Sequence, residues 1–202
     1  MESKEIQEEY YLLGLDVSTK TIGVSLFNNK GDLLELTHIS PKAKPTPKDK
    51  TEELLKKADL FNEFIIKYQN MNIKHVLIEE PLLRSNNVRT VGTLLRFNGM
   101  VTKICYDTFN ITPEYISTYE ARKNAFPELM GIGSSKKLVL FGGYPKDTDK
   151  KKVIWDLVSN REPQINWFYD KKGKLKKENY DMSDSYVVAL AYMRMAGLLK
   201  EV

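Results

Sequence analysis

Four acidic residues occur where an apolar stretch of the sequence ends or is interrupted. Asp16 directly follows an apolar run at 10–15, and Glu79 follows the short segment HVLI. Asp181 and Asp184 are three residues apart at the start of a predicted last helix, so they share one face about one turn apart. A sheet that brings the first and fourth strands together, with the last helix packed across them, would gather the four carboxylates at one rim.

Clustered carboxylates predict a metal site. They repel one another and raise each other's pKa, so their proximity is costly unless cations neutralise it. Mg²⁺ suits such a cluster because it prefers oxygen ligands and accepts a few carboxylates together with water and phosphate oxygens. Two such ions roughly 3.5–4 Å apart can activate a water and stabilise the leaving oxygen of a phosphodiester. A single cysteine, Cys105, and two histidines, His38 and His75, argue against zinc.

Each acid also has a purely structural interpretation. Asp16 is typical of a turn former in its D-x-S/T setting, and Glu79 and Glu80 could be surface acids at a strand end. Asp181 or Ser183 could cap the last helix, and Asp184 would be favoured in its first turn by the helix dipole. Singly these signals are weak, whereas their order and spacing together favour a functional site.

The apolar pattern predicts a mixed α/β fold that would position these acids. Short apolar runs between polar turns predict strands at 10–15, 22–27, 33–39, 75–80 and 114–117. Helical spacing predicts helices at 52–68, 88–107, 119–126, 150–159 and 183–199. The first three strands form an antiparallel meander and the later ones follow parallel crossovers, which gives a five-stranded sheet flanked by helices.

Length and composition predict one domain over residues 1–202. The chain has 202 residues, of which 42% are hydrophobic and 29% charged, and this suits a compact core with a charged surface. Basic loops are predicted at about 41–50, 127–149 and 160–180, the second irregular and the third with a short hairpin turned at Gly173. No apolar run approaches the roughly 18 residues of a membrane span. The acidic N-terminus does not resemble a secretory signal, so we expect a cytoplasmic protein without a membrane partner.

The distribution of charge favours a nucleic-acid partner. The net charge of +4 is mild, but residues 171–177 contain five lysines and no acid. Further lysines cluster at 42–50, 136–137 and 150–152. Such patches gain affinity for a polyanion by releasing phosphate counterions. Ordinary solvated loops are the alternative interpretation.

Four segments together carry a family resemblance. They are LGLDVSTKTIGV at 13–24, VLIE at 76–79, a helical segment at 93–101 with Arg96 and Gly99, and DMSDSYVVALA at 181–191. In this order they resemble the RuvC-type Holliday junction resolvases of the ribonuclease H-like superfamily. The first is similar to the strand and turn with the leading catalytic aspartate, the second to the strand that ends in the catalytic glutamate, and the last to the D-x-x-D helix that closes the active site. The likeness covers most of the chain between residues 11 and 199.

The resemblance implies a ribonuclease H-like fold and a definite activity. It implies a metal-dependent endonuclease that resolves four-way (Holliday) or other branched DNA junctions by paired nicks. Asp16, Glu79, Asp181 and Asp184 would be catalytic and bind two Mg²⁺ ions per active site, with Mn²⁺ as a substitute. A homodimer would place two active sites on opposing strands. The longer segments at 127–149 and 160–180 are compatible with a phage or other viral member, so the cytoplasm could be that of a bacterium or of a virus-infected host cell.

Two assignments within this resemblance have open alternatives. The start of the fourth predicted helix is similar to a family helix that carries a functional lysine, which we assign to Lys150, although Lys151 and Lys152 could serve as well. A lysine there could hold the scissile phosphate or stabilise its developing charge. Glu80 competes with Glu79, and Glu79 is preferred because the apolar segment before it directs it to the strand terminus.

Contacts with the partner are predicted near the second helix. Arg84, Arg89 and Arg96 could hold phosphates, and Phe97 could wedge into an opened junction core. Equally, Phe97 could belong to the core and the arginines could be solvated. The same helix, which begins near Val88, could supply the dimer surface.

Three other functions use parts of the same pattern. A ribonuclease H-like nuclease that acts on RNA–DNA hybrids or transposon ends would share the metal chemistry. A phosphotransferase of the actin/sugar-kinase type also begins with D-x-S/T, but it needs a second glycine-rich phosphate loop and gives the terminal D-x-x-D no role. A non-catalytic DNA-binding module would have no need of all four acids.

Overall fold

A mixed five-stranded sheet forms the centre of the protein. The computed structural model describes residues 8–44, 46–81 and 87–199. The sheet has the order β3-β2-β1-β4-β5. Its strands are β1 Tyr11–Val17, β2 Ile22–Asn28, β3 Leu33–Ile39, β4 Ile73–Glu79 and β5 Glu114–Ile116. The first three are antiparallel neighbours, whereas β4 is parallel to β1 and β5 is parallel to β4. This arrangement confirms the predicted sheet.

Helices cover both faces of the sheet. They are α1 Lys50–Ile65, α2 Val88–Phe109, α3 Thr118–Ala125, α4 Lys150–Arg161 and α5 Glu178–Met195. Short 3₁₀ turns follow α1 at Ile66–Tyr68 and α3 at Pro127–Leu129. Among the described residues, no helix combines the length and the hydrophobicity needed to cross a bilayer.

Alternation along β1 divides the core into two layers. Leu13 and Leu15 pack in the layer under α1 and α2, whereas Leu12 packs in the layer under α3, α4 and α5. Since side chains on a strand alternate between faces, Gly14 and Asp16 lie on the same face as Leu12. Asp16 is thereby directed toward α5.

Helix α5 lies directly against β1 and β2. A side chain at Gly14 would collide with the carbonyl oxygen of Ser185, and one at Gly23 with the backbone of Asp181. The Ser25 hydroxyl donates a hydrogen bond of 2.9 Å to the Ser185 carbonyl. This close approach fixes the first turns of α5 over the end of β1. Residues 182–191 are all buried, because the sheet covers one side of α5 while α3 and α4 cover others.

Two sequence predictions need correction. The segment 127–149 is not wholly irregular, because it contains a two-stranded hairpin, β6 Met130–Ile132 and β7 Leu138–Leu140. The last helix begins at Glu178 and not at 183. The first turn of this helix is mostly polar, so the apolar pattern of the sequence did not indicate it. It is held by Asn179, whose side chain exchanges hydrogen bonds of 2.9 and 2.6 Å with the backbone of Phe168. The predicted turn at Gly173 is present, with φ of +74°.

Candidate active site

Three carboxylates meet at the carboxyl end of the parallel pair β1 and β4. Leu15 pairs with Ile78, so the next residues along the two strands, Asp16 and Glu79, lie side by side. Asp184 approaches them from the second turn of α5. Carboxylate oxygens of Asp16, Glu79 and Asp184 all lie within 4.8 Å of one another. Asp16 and Asp184 are 63 and 105 positions from Glu79 in the sequence. The strand register and the packing of α5 on the sheet bring the three side chains together.

Asp181 borders this cluster. It lies one helical turn before Asp184, and its carboxylate accepts a hydrogen bond from the Thr21 side chain. Its charge interacts with those of Asp184 and Asp16. Asp181 is therefore placed where it could join a metal site formed by the other three acids.

Strand alternation separates the two neighbouring glutamates. Glu79 faces the cluster, and the Thr118 side chain donates a hydrogen bond to it. Glu80 is exposed, and its backbone N–H donates to the Ile116 carbonyl at 2.9 Å. The geometry therefore favours Glu79 over Glu80 as a metal ligand.

Two cations contact the acids. The Arg122 guanidinium, from α3, lies 3.1 Å from Oδ1 of Asp184, and the two side chains are only 13% and 5% exposed. Lys151, from the first turn of α4, has its Nζ 3.7 Å from Oδ2 of the same carboxylate. Asp184 thus forms ion pairs with two cations, a buried guanidinium and a more exposed ammonium.

Arg122 is not among the site residues that the sequence predicts. It shares a face of α3 with Ala125, three residues later, and Ala125 is fully buried. An arginine on the buried face of a short helix is a weak signal of a buried anion. Only the packing of α3 against α5 shows that this anion is Asp184.

The structure separates the three candidate lysines. Lys150 has its Nζ over the ring of Phe141, 5.5 Å from the centroid. Lys152 pairs with Asp156 at 2.8 Å. Lys151 is the one that contacts an acid of the cluster. The role assigned to Lys150 stays a prediction, and the geometry favours Lys151 for it.

Burial and mutual repulsion favour the protonated forms of Asp16, Glu79 and Asp181. Burial, with the nearby Glu79 and Asp184, raises the pKa of Asp16 well above its ordinary value. Burial and Asp184 likewise raise the pKa of Glu79. Burial raises the pKa of Asp181 to about 6, although Lys151 opposes the shift. The pKa of Lys151 is raised, because the four acids outweigh the opposing effect of burial. A divalent cation would replace these protons and relieve the repulsion.

The donor set fits a hard cation. Asp16, Glu79 and Asp184 offer only carboxylate oxygens, which Mg²⁺ and Mn²⁺ prefer, and Asp181 could supply a fourth such ligand. The buried thiol of Cys105 belongs to the opposite layer of the core. The sequence expectation of an oxygen-ligated metal therefore agrees with the chemistry of the site.

Metal binding is expected to strengthen as the pH rises. The folded pKa of Asp181, about 6, exceeds its ordinary value of 3.8, so the proton stabilises the metal-free fold below about pH 4, and this stabilisation is lost as the pH rises through about 6. Bound metal needs the ionised acids, so it should raise the melting temperature more at about pH 7.5 than at about pH 5. Thermal unfolding with Mn²⁺ and with EDTA at both pH values measures this. An equal rise at both values would contradict proton displacement.

A groove lies beside the turn after β1. It has a volume of about 840 Å³ and is lined by Ser18 and Thr19 of the turn, Lys50 of α1 and seven residues of α2, which include Arg89 and Arg96. Both arginines are exposed. Phe97 is fully buried in the core, so it cannot act as the predicted wedge. Arg84 lies outside the described residues.

Solved structures with low sequence identity share this fold. The chain is similar to Thermus thermophilus RuvC in complex with a Holliday junction substrate, with 10% identity, a TM-score of 0.58, and 93% of this chain and 95% of that chain covered. A second structure of Thermus thermophilus RuvC gives 13% identity and a TM-score of 0.55 over the same shares.

A eukaryotic structure shows the same likeness. The yeast mitochondrial Holliday junction resolvase Ydc2 has 11% identity and a TM-score of 0.61, with 93% of this chain and 79% of that chain covered. No protein-family model matches the sequence, and no curated protein sequence matches it. The predicted resemblance to RuvC-type resolvases is thus confirmed at the level of the fold.

Proposed function

We propose that the protein is a metal-dependent endonuclease that resolves four-way or other branched DNA junctions by paired nicks. The observation that carries the proposal is the convergence of Asp16, Glu79 and Asp184 at the carboxyl ends of β1 and β4. The likeness to structures described as Holliday junction resolvases supports the choice of substrate. We further propose that residues 1–202 act as one nuclease domain.

The proposed mechanism divides the work between acids and cations. Asp16, Glu79, Asp181 and Asp184 would hold two Mg²⁺ ions, or Mn²⁺ in their place. Bound ions would activate water and stabilise the leaving oxygen. Arg122 orients Asp184 and offsets part of the negative charge of the cluster. Lys151, exposed on its outer side, could hold the scissile phosphate against the cluster.

Helix α2 offers a surface for the proposed homodimer. Val88, Leu95 and Tyr106 are exposed, and their spacing of 7 and 11 residues places them on one face of the helix. Gly92 and Gly99 have open space around them, so another backbone could approach closely there. A second copy packed along this seam would bury the exposed side chains and supply a second active site, which paired nicking requires.

Junction-selective cleavage tests the proposal. We expect the protein with Mg²⁺ to nick a labelled four-way junction at paired positions, and to cut a linear duplex of the same sequence at least about 10²-fold more slowly. EDTA should abolish cutting. Equal cutting of the linear duplex, or preference for an RNA–DNA hybrid, would favour a related nuclease with another substrate. Nucleotide turnover without DNA cleavage would point to a phosphotransferase.

Lysine variants in the same assay locate the phosphate-binding residue. Lys151→Ala should slow junction cleavage by about 10²-fold, which is typical of the loss of one charge-stabilising group. Lys150→Ala is the matched comparison from the preceding position of α4. A larger loss of cleavage rate with Lys150→Ala than with Lys151→Ala would favour Lys150, the residue assigned from the sequence.

A further inference from the structure

The hairpin β6–β7 exposes a pair of large aliphatic side chains. Ile132 and Leu138 are opposite each other in the hairpin register, and they are 63% and 61% exposed. Val139, on the other face, is also exposed. Exposed aliphatic pairs of this kind are unfavourable in water, so their presence next to the turn of the hairpin suggests a partner.

The base of the hairpin is firmly anchored. Leu129 and Phe141, which flank it, are buried in the core, and the Phe141 N–H donates to the Leu129 carbonyl at 2.7 Å. Gly131 and Gly142 approach so closely that a side chain at either position would collide with the backbone of the other. The tip is therefore held in a fixed direction relative to the core.

The base of the hairpin also adjoins the candidate active site. The Phe141 ring contacts the Lys150 ammonium at the start of α4. The next residue, Lys151, contacts Asp184. A DNA strand with its phosphate at Lys151 would therefore have the hairpin as a neighbour.

The charge of the hairpin matches a polyanion. Its turn carries Lys136 and Lys137, both exposed, with Lys136 in the left-handed region at φ of +58°. The segment Met130–Leu140 contains no acidic residue. Cations beside aliphatic side chains suit DNA, whose phosphates attract the former while its unstacked bases contact the latter.

We propose that the β6–β7 hairpin is a wedge that contacts unstacked bases at the branch point, with Ile132 and Leu138 against the bases and the lysines of its turn against phosphates. The inference rests on the proposed function and adds to it the element that opens the DNA. Apolar side chains inserted at a base step offset part of the cost of unstacking, and a branch point lowers that cost because its bases are already poorly stacked.

A double variant tests the wedge. The variant Ile132→Ser with Leu138→Ser removes both aliphatic side chains from the tip, and Leu34→Ser removes an aliphatic side chain that is 50% exposed on β3. A junction with 2-aminopurine at the branch point reports unstacking through its fluorescence, and Ca²⁺ in place of Mg²⁺ separates binding from cleavage. We expect the fluorescence rise on binding to be lost in the double variant and kept in Leu34→Ser. Junction affinity should fall by less than about tenfold, since phosphate contacts supply most of it.

Other outcomes separate this inference from the proposed function. If the unaltered protein neither binds nor cuts junctions, the proposed function fails. If it binds and cuts, and the double variant still raises the fluorescence in full, the wedge is wrong. Conversion of a dimer to a monomer in the double variant, seen by sedimentation, would overturn the wedge by making the hairpin a protein interface. Melting temperatures of both variants verify that they fold.

Discussion

Glu79→Gln is expected to reduce junction cleavage by about 10³-fold or more while leaving junction binding nearly unchanged. A metal ion contributes several kcal/mol to phosphodiester cleavage, and each 1.36 kcal/mol corresponds to about a tenfold change in rate. The substitution keeps the shape of the side chain and lets the Thr118 side chain donate to the amide oxygen. It removes the charge that a metal requires. Rates under single-turnover conditions and binding in Ca²⁺ measure the two effects separately.

Glu80→Gln is the matched control for this prediction. It makes the same chemical change one position later, on an exposed side chain. We expect its cleavage rate to stay within about twofold of the unaltered protein, since exposed substitutions away from a site have small effects. If Glu80→Gln abolished cleavage and Glu79→Gln did not, the choice between the two glutamates would be reversed.

Stability gives a second measurement of Glu79→Gln. In the unaltered cluster three acids lie within 4.8 Å of one another, and burial together with the charge of Asp184 raises the pKa of Glu79. A neutral side chain relieves this repulsion, so the metal-free variant should melt at the same temperature as the unaltered protein or higher at about pH 8. Added Mn²⁺ should raise the melting temperature of the variant by less than it raises that of the unaltered protein. A large loss of stability without metal would instead indicate that Glu79 has a structural role.

Arg122→Met is expected to lower the free energy of unfolding of the metal-free protein by about 3 kcal/mol at about pH 8. Removal of one partner of a buried ion pair typically costs about 3–5 kcal/mol, because it leaves a buried charge uncompensated. Asp184 is 5% exposed and retains Lys151, so the lower end of that range applies. Methionine keeps the aliphatic length and isolates the effect of charge. Denaturant unfolding in EDTA measures it.

Metal and pH should both rescue Arg122→Met. A divalent cation replaces the missing positive charge, so Mn²⁺ should restore much of the lost stability and bind about tenfold more tightly than to the unaltered protein. At about pH 5 Asp181, whose pKa is raised to about 6, is mostly protonated and the cluster is less negative, so the loss should be smaller there. A deficit that is the same with metal, without metal and at both pH values would assign Arg122 a packing role.

Lys123→Met provides the comparison on the same helix. Lys123 is exposed and lies 3.8 Å from Glu120. Exposed ion pairs contribute about 0–1 kcal/mol, so we expect little change in stability and no change in Mn²⁺ affinity. Comparison of Arg122→Met with Lys123→Met separates the effect of losing a buried charge from the effect of any substitution on the stability of α3.

The order of strands and helices, and the positions of the four acids, could be predicted from the sequence because their signals are local. Short apolar runs mark β1, β2 and β4, and each of Asp16 and Glu79 interrupts or ends such a run. The three-residue spacing of Asp181 and Asp184 places them on one helical face whatever the helix packs against. The hairpin at 130–140 escaped prediction because its strands have only three residues each and the glycines at 131 and 133 interrupt its apolar pattern.

The tertiary structure alone decided which neighbours complete the candidate site. Successive residues of a helix point about 100° apart, so the sequence Lys150-Lys151-Lys152 offers three directions, and only the docking of α4 beside α5 directs Lys151 to Asp184. Arg122 became identifiable only when α3 packed on α5. Sequence patterns report which face of an element is buried, whereas the partner across that face depends on how distant elements pack. This is why the sequence left the choice among the three lysines open and did not indicate Arg122.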